Sequence, residues 1–315
     1  MPAFDVVGIG LNATDTVILV PHFPPYAGKV AFDDELLIPG GQVASAMVAC
    51  ATLGMKTKYI GTIGDDMRGQ VQWDSLQGSG IDLSHVQIRK NCPNQTACII
   101  IDRTTGERTV FWQRKDCLRL QPAEITEEMI ICARLLHIDG HDTSAVEKAA
   151  AIARAHNMPV TVDVDTIYPG FERVLPHVTH LISSSEFPTA WTKEKDPVKA
   201  LGLIQKEYRI PVAAMTLGSY GALALTDGEI IYSPAYVVNC VDTTGAGDVF
   251  HGAFCYALLE QMLMRDALDF SNAMAALNCR KLGARGGIST ADKARALMER
   301  AERRVHPDFG NGQPV

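Results

Sequence analysis

The chain has 315 residues, 47% of them hydrophobic, with a formal net charge of −7 and a pI near 5.7. That length and apolar content suit one large α/β domain with a smaller appendage, and they exclude a largely disordered chain. The acidic balance excludes nucleic acid as an obligatory partner, the apolar runs are too short to span a membrane, and the N-terminus lacks signal-peptide regions, so a cytoplasmic location is expected.

Phe4 to Gly10 reads as a buried first strand, and Thr16 to Val20 as a second, β-branched and stopped by Pro21. Gly8-Ile9-Gly10-Leu11-Asn12-Ala13 has the spacing of a dinucleotide fingerprint, which demands a helix directly after the glycines. Thr14 to Val20 is a poor helix former, so the nicotinamide reading is rejected. A run of small and apolar residues after Gly40-Gly41 predicts a tightly packed helix closed by Gly54. A strand and turn near 58–66 and a helix near 69–78 follow. Strands near 97–102 and 108–112 are then joined through a turn at 104–107.

From Leu135 the alternation is regular, with strands at 135–139, 159–164, 179–183 and 212–217 separated by helices at 144–156, 171–175 and 197–207. Asp196 caps the last of these, with Pro197 at its first position. Such alternation implies a mostly parallel sheet covered on both faces. A hairpin at 223–231 turns at Asp227-Gly228, and helices near 248–262, 266–282 and 291–304 finish the domain. The β-rich pieces 12–36 and 93–116 stand outside this scheme and are expected to form a separate small sheet. The large domain is then 1–11, 37–92 and 117–305, with a loose tail at 306–315. Eight cysteines lie without C-x-x-C or zinc-like spacing and read as reduced and structural.

Val241-Asp242-Thr243-Thr244-Gly245-Ala246-Gly247-Asp248 leads into an apolar helical run. Small residues at a helix start let backbone N–H groups approach an anion. A carboxylate at the mouth of such a cradle repels phosphate, so Asp248 needs a use, and taking the proton of an attacking hydroxyl is the natural one. A tight turn with Asp as a helix cap is the bland alternative.

The string Asp-Thr-Thr-Gly-Ala-Gly-Asp-Val-Phe-His-Gly-Ala resembles the C-terminal signature of the ribokinase-like, or PfkB, carbohydrate kinases. The resemblance implies Asp248 as catalytic base and the Gly245, Ala246 and Gly247 backbone as an anion hole. It also implies a three-layer α/β sandwich with a β-sheet lid that closes over the sugar and often pairs with a second subunit, hence a homodimer through the lid. Asn12 and Asp15 match the family's sugar-binding Asn or Asp, with an Asx-turn as the alternative. Gly40, Gly41 and Ser45 match the second signature, where ribokinases proper carry Asn in place of Ser45. Asp139 is placed like the central substrate-contacting acid, and His137-Ile138-Asp139-Gly140 looks most like the ketohexokinase version of that strand end. Arg108 and Trp112 fall on the lid segment, with solvated charge and lid packing as their alternatives.

For ATP, Thr216, Gly218 and Gly221 resemble the family's T-x-G-x-x-G segment, and the adenine is expected between Gly221 and the helix carrying Asn272, Ala275 and Cys279, with Thr244 near the phosphates. Glu186 stands near the family's magnesium-linked N-x-x-E, whose Asn is missing here. Asp242, Thr244 and the 283–287 loop fall where many relatives bind a monovalent cation, so K⁺ is a candidate beside the expected Mg²⁺. The implied activity is ATP-dependent phosphorylation of a small sugar, a ketose such as fructose or a derivative. Ribokinase or nucleoside kinase activity is the alternative, and a catalytically silent sugar-binding regulator is the non-enzyme one.

Overall fold

Continuous apolar strands such as Val160–Val164, buried at every position, need cover on both faces, and the fold provides it. In the computed structural model, which describes residues 2–104 and 108–308, eight strands form one sheet. From one edge to the other they are Glu229–Ser233, Ala222–Thr226, Val212–Thr216, His180–Ser184, Val160–Val164, Ala133–Asp139, Phe4–Ile9 and Thr57–Ile60. The pairs from Val212–Thr216 to Thr57–Ile60 are parallel, while the Ala222–Ser233 hairpin adds two antiparallel pairs at the edge.

Side-chain alternation divides the core into two layers. Val7, Leu136, Val162 and Ala213 pack with Val146, Ala149, Leu201 and Ile204 from the helices Thr143–Ala155 and Pro197–Tyr208. On the other face, Val6 and Leu135 pack with Met47, and Ile182 and Ala214 with Phe250, Phe254 and Leu268. Those residues belong to the helices Gln42–Thr52, Ala246–Leu259 and Met264–Asn278. Where the dinucleotide fingerprint would need a helix after Gly10, the chain enters the strand Ala13–Val20.

A second sheet has the order Asp34–Gly40, Ala13–Val20, Thr96–Asp102 and Arg108–Gln113. Its first strand runs on to Gly40, so the turn into the helix Gln42–Thr52 starts directly from this sheet. Val17, Ala97, Ile99 and Ile101 make its buried face, and Leu282 from the large layer packs against them. Every residue of the edge strand Arg108–Gln113 is exposed. The expected turn residues 105–107 and the expected tail beyond residue 308 lie outside the described residues.

The expectation that all cysteines are reduced is corrected. Cys92 and Cys117 are joined in a disulfide, and the other six are free. Sequence spacing gave no sign of it, because the two residues flank the strand pair Thr96–Asp102 and Arg108–Gln113 and meet only when that pair folds back.

Candidate active site

Asp163 and Asp165, at the carboxyl end of Val160–Val164, and Asp15, on the small sheet's strand Ala13–Val20, lie near enough to the start of the helix Ala246–Leu259 for their charges to act on Asp248. Gly245 is its N-cap in a left-handed conformation (φ 74°), which glycine adopts at no steric cost. Ala246, Gly247 and Asp248 form its first turn, so their N–H groups are among those a helix start leaves without intrahelical partners. Asp248 is half-buried, and burial first, then the neighbouring Asp163 and Asp165, push its carboxyl well above the usual range. Arg285 opposes that shift, and Asp15 adds to it.

A cleft of about 450 Å³ opens beside this turn, within the ordinary range for a small-ligand site. Ala246 and Gly247 line it together with Gly218, Asn272, Ala275 and Cys279. The last three follow an i, i+3, i+7 spacing along the helix Met264–Asn278 and its C-cap, which places them on one face. Asn272 is fixed there by donating to the Ser233 carbonyl at 3.0 Å and to its hydroxyl at 2.7 Å.

Three residues expected at the nucleotide stand off this cleft. Thr216 Oγ1 turns back to the Ser183 carbonyl at 3.5 Å. Gly221 (φ 101°) packs against the Ser233 backbone, where a Cβ would overlap the carbonyl. Thr243, rather than Thr244, lines the cleft, while Thr244 is buried with its Oγ1 unpartnered among the described residues.

Arg108, expected on the acceptor side, lines this same cleft and donates from Nη1 to the Thr243 hydroxyl. Trp112, four residues along the same strand, reaches a different cavity of about 590 Å³, bordered also by Arg114, His141 and Tyr168. Arg114 is bidentate to Asp142 at 2.9 and 2.6 Å, and Tyr168 Oη meets His141 Nε2 at 3.0 Å.

Asn12 is buried and donates to Tyr59 Oη at 3.0 Å and to the Thr62 carbonyl at 2.8 Å, which leaves its Oδ1 buried and unpaired among the described residues. Asp15 is buried beside Gly40, where a Cβ would overlap its carboxylate, and burial raises its pKa to about 7. Gly41 (φ 93°) lies against the Asn12 backbone. The Ser45 hydroxyl accepts from Arg285 Nε at 3.1 Å.

Asp139 has a structural task in place of the expected substrate contact. It is fully buried, and its two oxygens accept from the N–H groups of Leu11 at 2.6 Å and His141 at 2.8 Å. It thereby ties the Gly10–Asn12 turn to the strand end. Burial raises its pKa to about 7 against the pull of those two donors.

The two residues expected at metals, Glu186 toward magnesium and Asp242 toward a monovalent cation, lie at separate places. Asp242 is buried, with Oδ1 accepting from Thr244 N and Oδ2 from Gly283 N, both at 2.8 Å, and so bolts two loops together. Glu186 is exposed at the start of the separate helix Glu186–Thr192. Among the described residues no three His, Cys, Asp or Glu side chains group closely enough to hold a metal ion.

Asp163, Asp165 and Arg285 went unassigned in the sequence. The Asp163-Val164-Asp165 pair was accessible to the same strand-end argument that singled out Asp139. Arg285 shows only as a lone charge within Gly283-Ala284-Arg285-Gly286-Gly287.

Residues 4–291 match the pfkB family of carbohydrate kinases. The chain belongs to that family. It is therefore a carbohydrate kinase, a phosphotransferase, with the ribokinase-like α/β fold. Among PfkB relatives it is similar to the ribokinase of Bacillus subtilis, 25% identical over 92% of this chain and 98% of that one. It is 28% identical to an ATP-dependent ribose-1-phosphate kinase of Halopiger xanaduensis, over 93% and 97%. The solved structure of a ribokinase candidate from Agrobacterium tumefaciens superposes with a TM-score of 0.87 at 29% identity, covering 94% and 97%. No helix among the described residues is long and apolar enough to cross a membrane.

Proposed function

We propose that this PfkB kinase transfers the γ-phosphate of ATP to a hydroxymethyl group of a small sugar, with a ketose such as fructose or a derivative as acceptor. One observation carries the reading: Ala246 and Gly247 form both a wall of the nucleotide cleft and the first turn of the helix on which Asp248 follows. A nucleotide seated in that cleft directs its phosphates at the N–H groups of a helix start, of which Ala246 N already reaches the Thr243 carbonyl at 3.2 Å, with a carboxylate one residue away.

Asp248 accepts the proton of the attacking hydroxyl, and its raised proton affinity makes it a stronger base than an exposed aspartate. The Gly245 to Gly247 amides stabilise charge on the transferring group. Magnesium would arrive on the nucleotide's phosphates with much of its water, which suits a protein whose described residues form no cage of three His, Cys, Asp or Glu side chains. Each Asp242 oxygen accepts one N–H and keeps a lone pair free, so the potassium candidate there stands as the resemblance implies it.

Ser45, whose hydroxyl is committed to Arg285, replaces the Asn of ribokinases proper and supports an acceptor other than ribose. A nucleoside acceptor is the second reading, supported by Trp112, whose ring borders the larger cavity and could stack a base. The small sheet is proposed as a lid and as the contact of a homodimer, because Val110, Phe111 and Trp112 stand exposed on its edge strand.

The test is a screen of D-fructose, phosphorylated and unphosphorylated ketoses, D-ribose and adenosine with ATP, beside Asp248→Asn. A ketose should lead the screen, and the variant should keep nucleotide binding while losing at least about 10²-fold in turnover. Strong adenosine turnover without any on ketoses overturns the acceptor assignment, and wild-type rates for Asp248→Asn overturn the mechanism.

A further inference from the structure

Arg285 lies between the helices Met264–Asn278 and Ala291–Arg300, in the loop that also carries Ala284. Its guanidinium donates from Nε to Ser45 Oγ at 3.1 Å and from Nη1 to Ser75 Oγ at 2.7 Å. Nη2 donates to the Gly40 carbonyl at 2.7 Å and to Gln72 Oε1 at 3.1 Å. These partners come from the small sheet, the helix Gln42–Thr52 and the helix Met67–Gly78, and all four are uncharged.

A half-buried guanidinium held only by neutral acceptors is costly unless carboxylates nearby share its field. Two do. Asp15 and Asp248 each feel its attraction, and each in turn favours its charged form. Asp248 is faced by Asp163 and Asp165 from the end of Val160–Val164, by Asp15 from Ala13–Val20 and by Arg285 from its loop. His251, on the same helix as Asp248, is engaged with Asp163 at 3.1 Å. Three carboxylates therefore oppose ionisation of Asp248, and Arg285 supports it.

We propose that Arg285 is a positioning residue for phosphoryl transfer: its guanidinium fork, clamped between Ser45, Ser75, Gln72 and the Gly40 carbonyl, fixes the Gly40-Gly41 turn on the acceptor side and holds a positive charge in place opposite the carboxylates of Asp15 and Asp248. This rests on Asp248 being the general base, as argued above. The division of labour follows from the side chain, since a planar fork can satisfy several fixed acceptors and still leave its charge to act at longer range.

The experiment measures kcat and KM against pH for the full-length protein, with ATP and D-fructose or D-ribose, whichever turns over. Arg285→Gln and Arg285→Lys are compared with wild type, and near-UV circular dichroism checks that each folds. In Arg285→Gln the acid limb of kcat/KM moves up by about 1 pH unit or more, the scale for losing a nearby opposite charge, and the acceptor KM rises. Arg285→Lys keeps the acid limb but loses activity on the alkaline side as a buried ammonium gives up its proton. Burial brings the wild-type guanidinium down only to about 10.

An acceptor KM and limbs that stay at wild-type values in both folded variants overturn the inference. Should Arg285→Gln fail to fold, the Lys variant alone decides, and an alkaline profile identical to wild type overturns it. The underlying reading fails separately, through wild-type turnover in Asp248→Asn. An inactive Asp248→Asn beside an unmoved acceptor KM and unmoved limbs removes Arg285 alone.

Discussion

Gly245 and Ala284 share one space: the Ala284 carbonyl oxygen occupies the position that a Cβ on Gly245 would need. The loop carrying Arg285 is thereby the floor beneath the turn proposed to bind the phosphates. Gly247, two residues on, is the opposite case, since a Cβ there meets nothing within 4 Å and points into open space. Gly245→Ala should therefore destabilise the fold by about 1–3 kcal/mol through left-handed strain and overlap, and abolish most turnover. Gly247→Ala should leave thermal stability unchanged or slightly raised, because alanine favours a helix, while weakening nucleotide use. Thermal melts beside initial rates check both, and equal stability losses in the two variants would contradict the assignment.

The cleft proposed for the nucleotide gives a prediction that separates it from the acceptor side. Ala275 lines the cleft between Asn272 and Cys279, so Ala275→Trp fills it without touching Asp15, Asn12 or Gly40. The KM for ATP should rise by about tenfold or more, the scale of losing a well-packed pocket contact, with the acceptor KM little changed. Steady-state titration of each substrate at saturating levels of the other measures this. A rise confined to the acceptor KM would move the nucleotide elsewhere.

What could be read from the sequence was local. The Gly-Ala-Gly-Asp helix start depends on four consecutive residues, and the Asn272, Ala275 and Cys279 face on helical spacing; the first opens a helix and the second lines a cleft beside it. The two β-rich segments betrayed the second sheet because their period differs from the strand-helix alternation around them. What stayed hidden was partner choice at long range. Arg285 meets groups 210 to 245 positions away, and no spacing rule connects them. Asp139 sits at the strand end where a ligand would bind, yet the Leu11 and His141 amides claim it, a competition visible only in three dimensions. Arg108 likewise lies on the expected strand but extends toward Thr243.

Asp15 makes the fold's stability depend on pH in a stated direction. Its carboxyl is raised from 3.8 to about 7, so between those values the native state binds more protons than the unfolded chain, and its contribution falls as pH rises. Asp139 acts in the same sense, while His141 and His180, held down to about 4 by burial, act in the opposite one. Comparing wild type with Asp15→Asn cancels these shared terms. The variant's melting temperature should gain on wild type steadily from about pH 4 to about pH 7 and then hold a constant difference. A difference independent of pH across that window would show that Asp15 titrates normally in the native state.

The Cys92–Cys117 bond spans 25 positions and encloses the hairpin of Thr96–Asp102 and Arg108–Gln113. It joins the point where the chain enters that hairpin to the point where it leaves, so it restricts the unfolded chain more than it adds contacts to the folded one. On the chain-entropy account a loop of this size is worth about 3 kcal/mol. Reduction with dithiothreitol should then lower the melting temperature by several degrees, and Cys117→Ser should show the lower value with or without reductant. The edge strand is the part of the small sheet with no packed outer face, so its amides should exchange with solvent faster after reduction, ahead of those in Ala13–Val20. Hydrogen exchange followed by mass spectrometry reads this directly. Equal exchange in oxidised and reduced protein would mean that the sheet's own pairing, and not the bond, holds the hairpin in place.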